Sequence, residues 1–383
     1  MNNREAVILT ADFNYNKRNS FLREICATLL NEYECKHRKD IVMPIKLLVH
    51  SLKTLVAVFL LFLGCKDITN STDGKPPCGG HAPGIVPAPA YDSPIWHPSG
   101  KFIGFNHTPL VSISYPYGQG CWGQQHFNGD STGFWLINSD GTNKKRVFPY
   151  TLQTPAWSPD GKWISFVLGA QIFKMRFTGT TFDTTTLTQL TFEGRNFFPA
   201  WSPDGQWIAY DSNSESPNGM NFIWLMRRDG SEKRRIIYEP SQGEIRMPHW
   251  SSEGARIVHI RYLVGTFSSE IFTMDSSGAS PRRLTVDNWT DRHPRYSTHV
   301  TTIAYLSNSN IWIMDSTGNN RRQLTTWGVD GDFGLPFSWS PDGSKIIYTR
   351  YQSTDWTYAN GTIWVVNVET GEKQQLTFNL PRK

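Results

Sequence analysis
The chain has 383 residues, enough for two or three ordinary domains or for one large domain built from repeats. With 38% hydrophobic and 19% charged residues it can bury a core, which excludes a charge-rich disordered chain. The first 64 residues hold 9 basic and 6 acidic groups, which leaves a formal charge of +2 for the rest, too little for a general electrostatic binder of nucleic acid.

The amino-terminal region reads as an export signal. A modestly basic stretch, 43–53 (MPIKLLVHSLK), leads into the apolar run 55–64 (LVAVFLLFLG), which is about half the roughly 20 residues a membrane-spanning helix needs. The run ends in Leu-Phe-Leu-Gly-Cys, which resembles the lipobox of bacterial lipoproteins and implies that Cys65 is acylated and becomes the first residue of the mature chain. Residues 1–42 carry mixed charges ahead of a second candidate start at Met43 and fit no signal layout, so they are expected to be a non-native or disordered extension. Residues 65–89, rich in Pro, Gly, Ser and Thr, form a flexible tether. Export past Cys65 leaves Cys78 and Cys121, an even pair for which a disulfide is expected in an oxidising compartment.

From residue 90 onward one unit recurs: SPIWHPSGKFIGF at 93–105, TPAWSPDGKWISF at 154–166, FPAWSPDGQWIAY at 198–210, MPHWSSEGARIVH at 247–259, HPRYSTHVTTIAY at 293–305 and FSWSPDGSKIIYT at 337–349. Its anchoring aromatics are Trp96, Trp157, Trp201, Trp250, Tyr296 and Trp339, spaced by 61, 44, 49, 46 and 43 residues. A period in the mid-forties is the length of one four-stranded propeller blade. Each unit continues into a second alternating segment, such as IWLMRRDGSEKRRI or IWIMDSTGNNRRQL, that turns at a Gly and often ends in Leu-Thr. The unit therefore reads strand, turn, strand, loop, strand, turn, strand. In Ser-Pro-Asp-Gly the Pro presets φ, the Asp bonds nearby backbone and the Gly can take positive φ. The expected fold is all-β: a six-bladed β-propeller of four-stranded antiparallel blades over 90–383.

The pattern xPxWSPDGxxIxF followed by IWxMDxxGxxxRxLT resembles the TolB-like β-propeller repeat of bacterial envelope proteins, over roughly residues 90–378. The resemblance implies a six-bladed propeller at the cell envelope. The family's namesake adds an α/β domain before its propeller and touches a peptidoglycan-associated lipoprotein. No such domain fits between Cys65 and Ala90, so that partner is not carried over. Related propellers attached to serine peptidases need a downstream hydrolase domain, whereas this chain ends at Lys383 and has no Gly-x-Ser-x-Gly elbow, so peptidase activity is not expected.

Blade connectivity sorts the candidate residues onto two surfaces. One carries the Ser-Pro-Asp-Gly turns and the basic turns at Lys144-Lys145-Arg146, Lys233-Arg234-Arg235, Arg282-Arg283 and Arg321-Arg322, read as solvated hairpin ends. The other carries two long aromatic loops. The first, 107–133, contains Tyr115, Tyr117, Trp122 and His126; the second, 350–361, contains Trp356 and Tyr358. Exposed aromatics of this kind stack on sugars or hold apolar peptide side chains. Residues just before each repeated Pro, including Arg195, Asn196, Arg246, Arg292, His293 and Asp332, are expected to rim the central channel and could meet a polar ligand.

No catalytic motif, cofactor or metal is expected: the histidines are scattered, and Asp330-Gly331-Asp332 is too short for a calcium loop. The expected role is that of a monomeric, lipid-anchored propeller binding an envelope protein or glycan without catalysis. Two alternatives are a propeller enzyme of lyase or lactonase type with a channel-mouth site, and a structural scaffold in an envelope complex.

Overall fold
Each Ser-Pro-Asp-Gly copy closes as a hydrogen-bonded reversal of the chain. In the third unit, Ser202 Oγ donates to Asp204 Oδ1 at 2.5 Å and accepts from Trp207 N at 2.9 Å, while Gly205 N donates to the Ser202 carbonyl at 2.9 Å. Gly205 has φ of +67°, a left-handed conformation that glycine adopts at little cost. The same hydroxyl bonds recur at Ser158 and Ser340. The strands on either side of the turn, Asn196–Trp201 and Trp207–Ser212, are thereby paired antiparallel.

The computed structural model describes residues 90–114, 124–236, 243–266, 268–287, 289–299, 301–326, 337–351 and 361–378. The chain divides into two compact units, Val86–Ser112 with His126–Lys383, and Met1–Ile85 with Ile113–Gln125. The second unit lies almost wholly outside the described residues. Outside them, too, lie Cys65, Cys78, Tyr115, Tyr117, Cys121, Trp122, Asp332, Trp356 and Tyr358.

Six four-stranded antiparallel sheets form the ring. Blade one is Tyr91–Trp96, Phe102–His107, Gly133–Asn138 and Lys145–Phe148; blade two is Gln153–Trp157, Trp163–Leu168, Gln171–Phe177 and Phe182–Gln189. Blade three adds Phe222–Arg227 and Arg234–Arg235 to the pair above; blade four is Ile245–Trp250, Arg256–Tyr262, Ser269–Asp275 and Arg282–Arg283. Blade five is Arg292–Tyr296, Thr302–Ser307, Asn310–Asp315 and Arg322–Gln323; blade six is Phe337–Trp339, Lys345–Tyr351, Gly361–Asn367 and Lys373–Gln375. The wide spacing between Trp96 and Trp157 reflects an insertion in blade one, which carries a two-stranded sheet of Leu110–Ser114 and Gln124–Phe127.

Two recurring contacts hold the blades. The Thr of Leu-Thr, beyond the fourth strand, accepts a backbone N–H from the third strand of its own blade: Ile172 to Thr191, Ile271 to Thr285, Ile311 to Thr325 and Ile363 to Thr377, at 2.8 to 2.9 Å. Across blades, the repeat Trp donates its indole N–H backwards: Trp201 to Ser165 Oγ at 2.9 Å, Trp250 to the Ala200 carbonyl at 3.1 Å and Trp339 to the Arg295 carbonyl at 3.0 Å. Among the described residues the ring closes without strand exchange, since every sheet is built from strands of one unit, and Trp96 N donates to Ser338 Oγ at 3.3 Å across the closure. Tyr91, Trp96, Ile103 and Phe105 of blade one bury against Ile347, Ile363, Val365 and Leu376 of the last blade.

His259, on the second strand of blade four, is fully buried; its Nδ1 is 3.1 Å from the Ile260 carbonyl, and its Nε2 has no partner. Burial, far more than the nearby Arg261, holds its pKa down to about 4. The folded protein must keep this imidazole neutral, so its contribution to stability is full above the unfolded value near 6.5 and is lost as pH falls toward 4. His259→Leu should therefore gain on the wild type by about 2–3 kcal/mol between pH 7.5 and pH 4.5, read as the change in the difference between their urea midpoints.

Candidate binding face
Within a blade, first-to-second and third-to-fourth strand turns point one way; second-to-third loops and blade links point the other. Every large apolar side chain exposed among the described residues lies at the second end: Val111 and Val264 in second-to-third connections, Phe192, Val286 and Trp289 in blade links, and Phe378 just past the last strand. They are 53% to 71% exposed, and the turn face has no counterpart among the described residues. Three of them, Phe192, Val286 and Phe378, hold one repeat position, directly after a buried Leu-Thr pair. The chain thus buries the Leu, ties down the Thr hydroxyl and presents the next residue to solvent.

Phe198, Met247 and His293 crowd together near the start of the innermost strands of blades three to five. The innermost strands of blades one to five each carry a register shift, and the residue before the repeated Pro is left-handed: Ser93, Thr154, Phe198, Met247 and His293 have φ between 45° and 57°. Such a conformation is costly for residues with a side chain, and the bulge kinks the strand. It accompanies Phe198, Met247 and His293 around the axis, where the Phe198 and His293 rings stand 5.7 Å apart. The space they leave, bounded also by Pro199, Pro248 and Arg295, is about 10 Å³, room for a single water. No carboxylate lines it.

The residues expected at the rim separate into distinct roles. Arg195 is exposed, with its guanidinium 5.8 Å from the Phe197 ring. Asn196 is buried and bonded to the carbonyls of Ala170 and Glu193 and to Gln171 Oε1, so it serves the junction between blades two and three. Arg246 Nε lies 3.2 Å from Oδ2 of the fully buried Asp211. Burial raises Asp211 to about 6, against the pull of Arg246. Arg292 is half-buried, and His293 is buried beside the Phe198 ring. His126 is exposed at the blade-one insertion. Beside Arg195 a shallow, open cleft of about 440 Å³ is lined by Glu193, Gly194 and the loop 213–217.

The basic turns are partly consumed by structure. Arg321 Nη2 donates to the Leu284 carbonyl of the preceding blade at 2.6 Å, Arg282 Nη2 to the Thr317 carbonyl at 3.0 Å, and Arg322 to the Val368 carbonyl. These guanidiniums staple neighbouring blades, which is a cheaper account of them than an anionic partner. Sequence reasoning missed this role, since the acceptor carbonyls sit 35 to 46 residues away in other units.

The family described as TolB beta propeller domain matches residues 132–380. An uncharacterized protein of Agrobacterium fabrum, Atu1656, is 26% identical over 290 residues, covering 68% of this chain and 85% of its own. TolB from Acinetobacter baumannii superposes with a TM-score of 0.52 at 21% identity, over 64% of this chain and 59% of that one. A structure from Agrobacterium tumefaciens assigned to TolB gives 0.50 at 22% identity, over 69% and 91%. At these identities the structural likenesses speak for the fold alone, and the chain spans less than two thirds of the Acinetobacter protein.

Proposed function
Because the chain belongs to the TolB β-propeller domain family, we propose that it is an exported, lipid-anchored binding module that holds a protein of the cell envelope, without catalysis, on the face bearing its blade links. The observation that supports this reading is the one-sided distribution of exposed apolar side chains: Val111, Phe192, Val264, Val286, Trp289 and Phe378 share that face. Scattered single apolar residues need no explanation, but their confinement to one end, beside the exposed Arg195 and an open cleft, has the make-up of a partner surface.

The test is crosslinking and affinity capture of the tagged full-length protein from its own cells, against a Phe192→Ser, Val264→Ser, Phe378→Ser variant. All three side chains are at least two-thirds exposed, so the fold should survive. Loss of one reproducible envelope partner is the expected result; identical captures from both proteins would overturn the proposed face. In the same cells, labelled palmitate should enter the wild type and not Cys65→Ser.

A further inference from the structure
We propose that the junction between blades four and five holds a calcium ion, bound by Glu270, Asp287 and Asp291. The inference stands independently of the partner reading above.

Three junctions share one backbone bond, from the start of an innermost strand to the residue that opens or directly precedes the third strand of the previous blade. Asn196 N donates to the Ala170 carbonyl at 2.8 Å, Ile245 N to Asn221 at 3.0 Å and Asp291 N to Ser269 at 2.8 Å. This bond fixes which side chains face one another. Between blades three and four the facing pair is Phe222 and Ile245, both apolar and fully buried. Between blades two and three it is Gln171 and Asn196, joined by an amide bond of 3.0 Å. Between blades four and five it is Glu270 and Asp291, two carboxylates, each with no exposed surface.

Asp287 of the blade link completes the group, and one carboxylate oxygen from each of the three lies within 4.8 Å of the others. Glu270 and Asp287 have cations on their outer sides. Arg283 Nη2 is 2.9 Å from Glu270 Oε1, and Arg321 Nη1 is 3.4 Å from Asp287 Oδ2. Asp291 has none. The Thr285 and Ser307 hydroxyls stand beside it and ease its burial, yet neither Asp291 oxygen completes a hydrogen bond. The single Thr285 hydroxyl proton goes to Glu270 Oε2 at 2.6 Å. Where Asn196 donates to three acceptors, Asp291 has two buried acceptor oxygens that, among the described residues, face two hydroxyls and no cation. A buried, unpaired carboxylate is among the costlier groups a fold can carry, and a cation shared with two neighbouring acids removes that cost.

The donors are all oxygen, which selects a hard ion and disfavours zinc or copper. Carboxylates gathered in a largely buried site suit calcium, with its flexible coordination, better than magnesium, which keeps several of its waters. The ion would tie the third strand of blade four to the first strand of blade five and brace the link that presents Val286 and Trp289.

The experiment is thermal unfolding of the full-length protein, stripped with EDTA and then titrated with calcium or magnesium chloride near neutral pH, with equilibrium dialysis for stoichiometry. Millimolar calcium should raise the midpoint by about 3–6 °C, with one ion bound per chain. Asp291→Asn should abolish the shift and raise the midpoint in EDTA, because its amide can donate to Glu270 as Asn196 does to Gln171. Should that variant fail to fold, Glu270→Gln serves the same purpose. An unchanged wild-type midpoint in both salts, a response to magnesium alone, or an equal calcium shift in the variant would each overturn the assignment.

Discussion

Trp250→Ala should lower the unfolding free energy by about 3–5 kcal/mol, the largest loss expected from any one repeat residue. The indole is 6% exposed and packs with Ala200, Ala209 and Phe222 of blade three and with Ile257 and Met274 of its own blade, so truncation opens a cavity at a blade junction. It also strands the Ala200 carbonyl that its N–H serves. Trp250→Phe should cost less than half as much, since it keeps most of the apolar contact and gives up one hydrogen bond, worth about 1 kcal/mol net. Trp157 supplies the contrast. Its indole N–H is buried without a partner, and its ring stacks on Phe182 at 5.9 Å among Phe134 and Phe177. Trp157→Phe should therefore be close to neutral. Denaturant midpoints of the three variants check the ordering; equal losses for the two Phe substitutions would refute the cross-blade role of the indole N–H.

The fold was legible because its signals are local. Ser-Pro-Asp-Gly carries its own turn chemistry, strand alternation follows within a few residues, and the spacing of the aromatics counts the blades. The Leu-Thr ending was equally readable as a marker, although its use of the Thr hydroxyl emerges only from the sheet. What the sequence could not convey arises between units. Asn196 and Asp291 hold equivalent backbone bonds, but one meets an amide and the other an acid, because the facing residue comes from the preceding blade. The position of Arg246 near the channel was expected, whereas its partner Asp211 lies 35 residues earlier on the neighbouring blade. Mixed charge was expected around the channel mouth; near the start of the innermost strands of blades three to five the structure gathers Phe198, Met247 and His293, set there with a bulge that no composition reveals. Tyr115, Tyr117, Trp122, Trp356 and Tyr358 lie outside the described residues, and the apolar side chains at the repeat position after Leu-Thr went unnoticed because each is a single residue in its own unit.

Arg246→Met should cost about 3–5 kcal/mol at pH 7.5 and markedly less at pH 5. Asp211 has no exposed surface, and its Oδ2 receives Arg246 Nε and the Met247 N–H, each at 3.2 Å, while Oδ1 has no partner. Even with the arginine in place, burial lifts this carboxyl to about 6. Its folded pKa thus stands above its unfolded value near 3.8, so its ionisation costs stability as pH rises through about 6, and the group is best tolerated in acid. Removing Arg246 takes away the cation that offsets that cost and drives the pKa higher still. The deficit of the variant should then grow from pH 5 to pH 8, opposite in direction to the acid loss that His259 imposes. Asp211→Leu combined with Arg246→Met should recover most of the stability, because a buried pair replaced by apolar groups is often neutral or better, whereas half a pair is not. Urea midpoints for the two single variants and the double variant, at pH 5 and pH 8, decide the matter. A pH-independent loss in Arg246→Met would mean that the guanidinium acts through its packing on Phe197 and Phe198, whose ring centres lie 5.9 and 5.8 Å away, rather than through its charge.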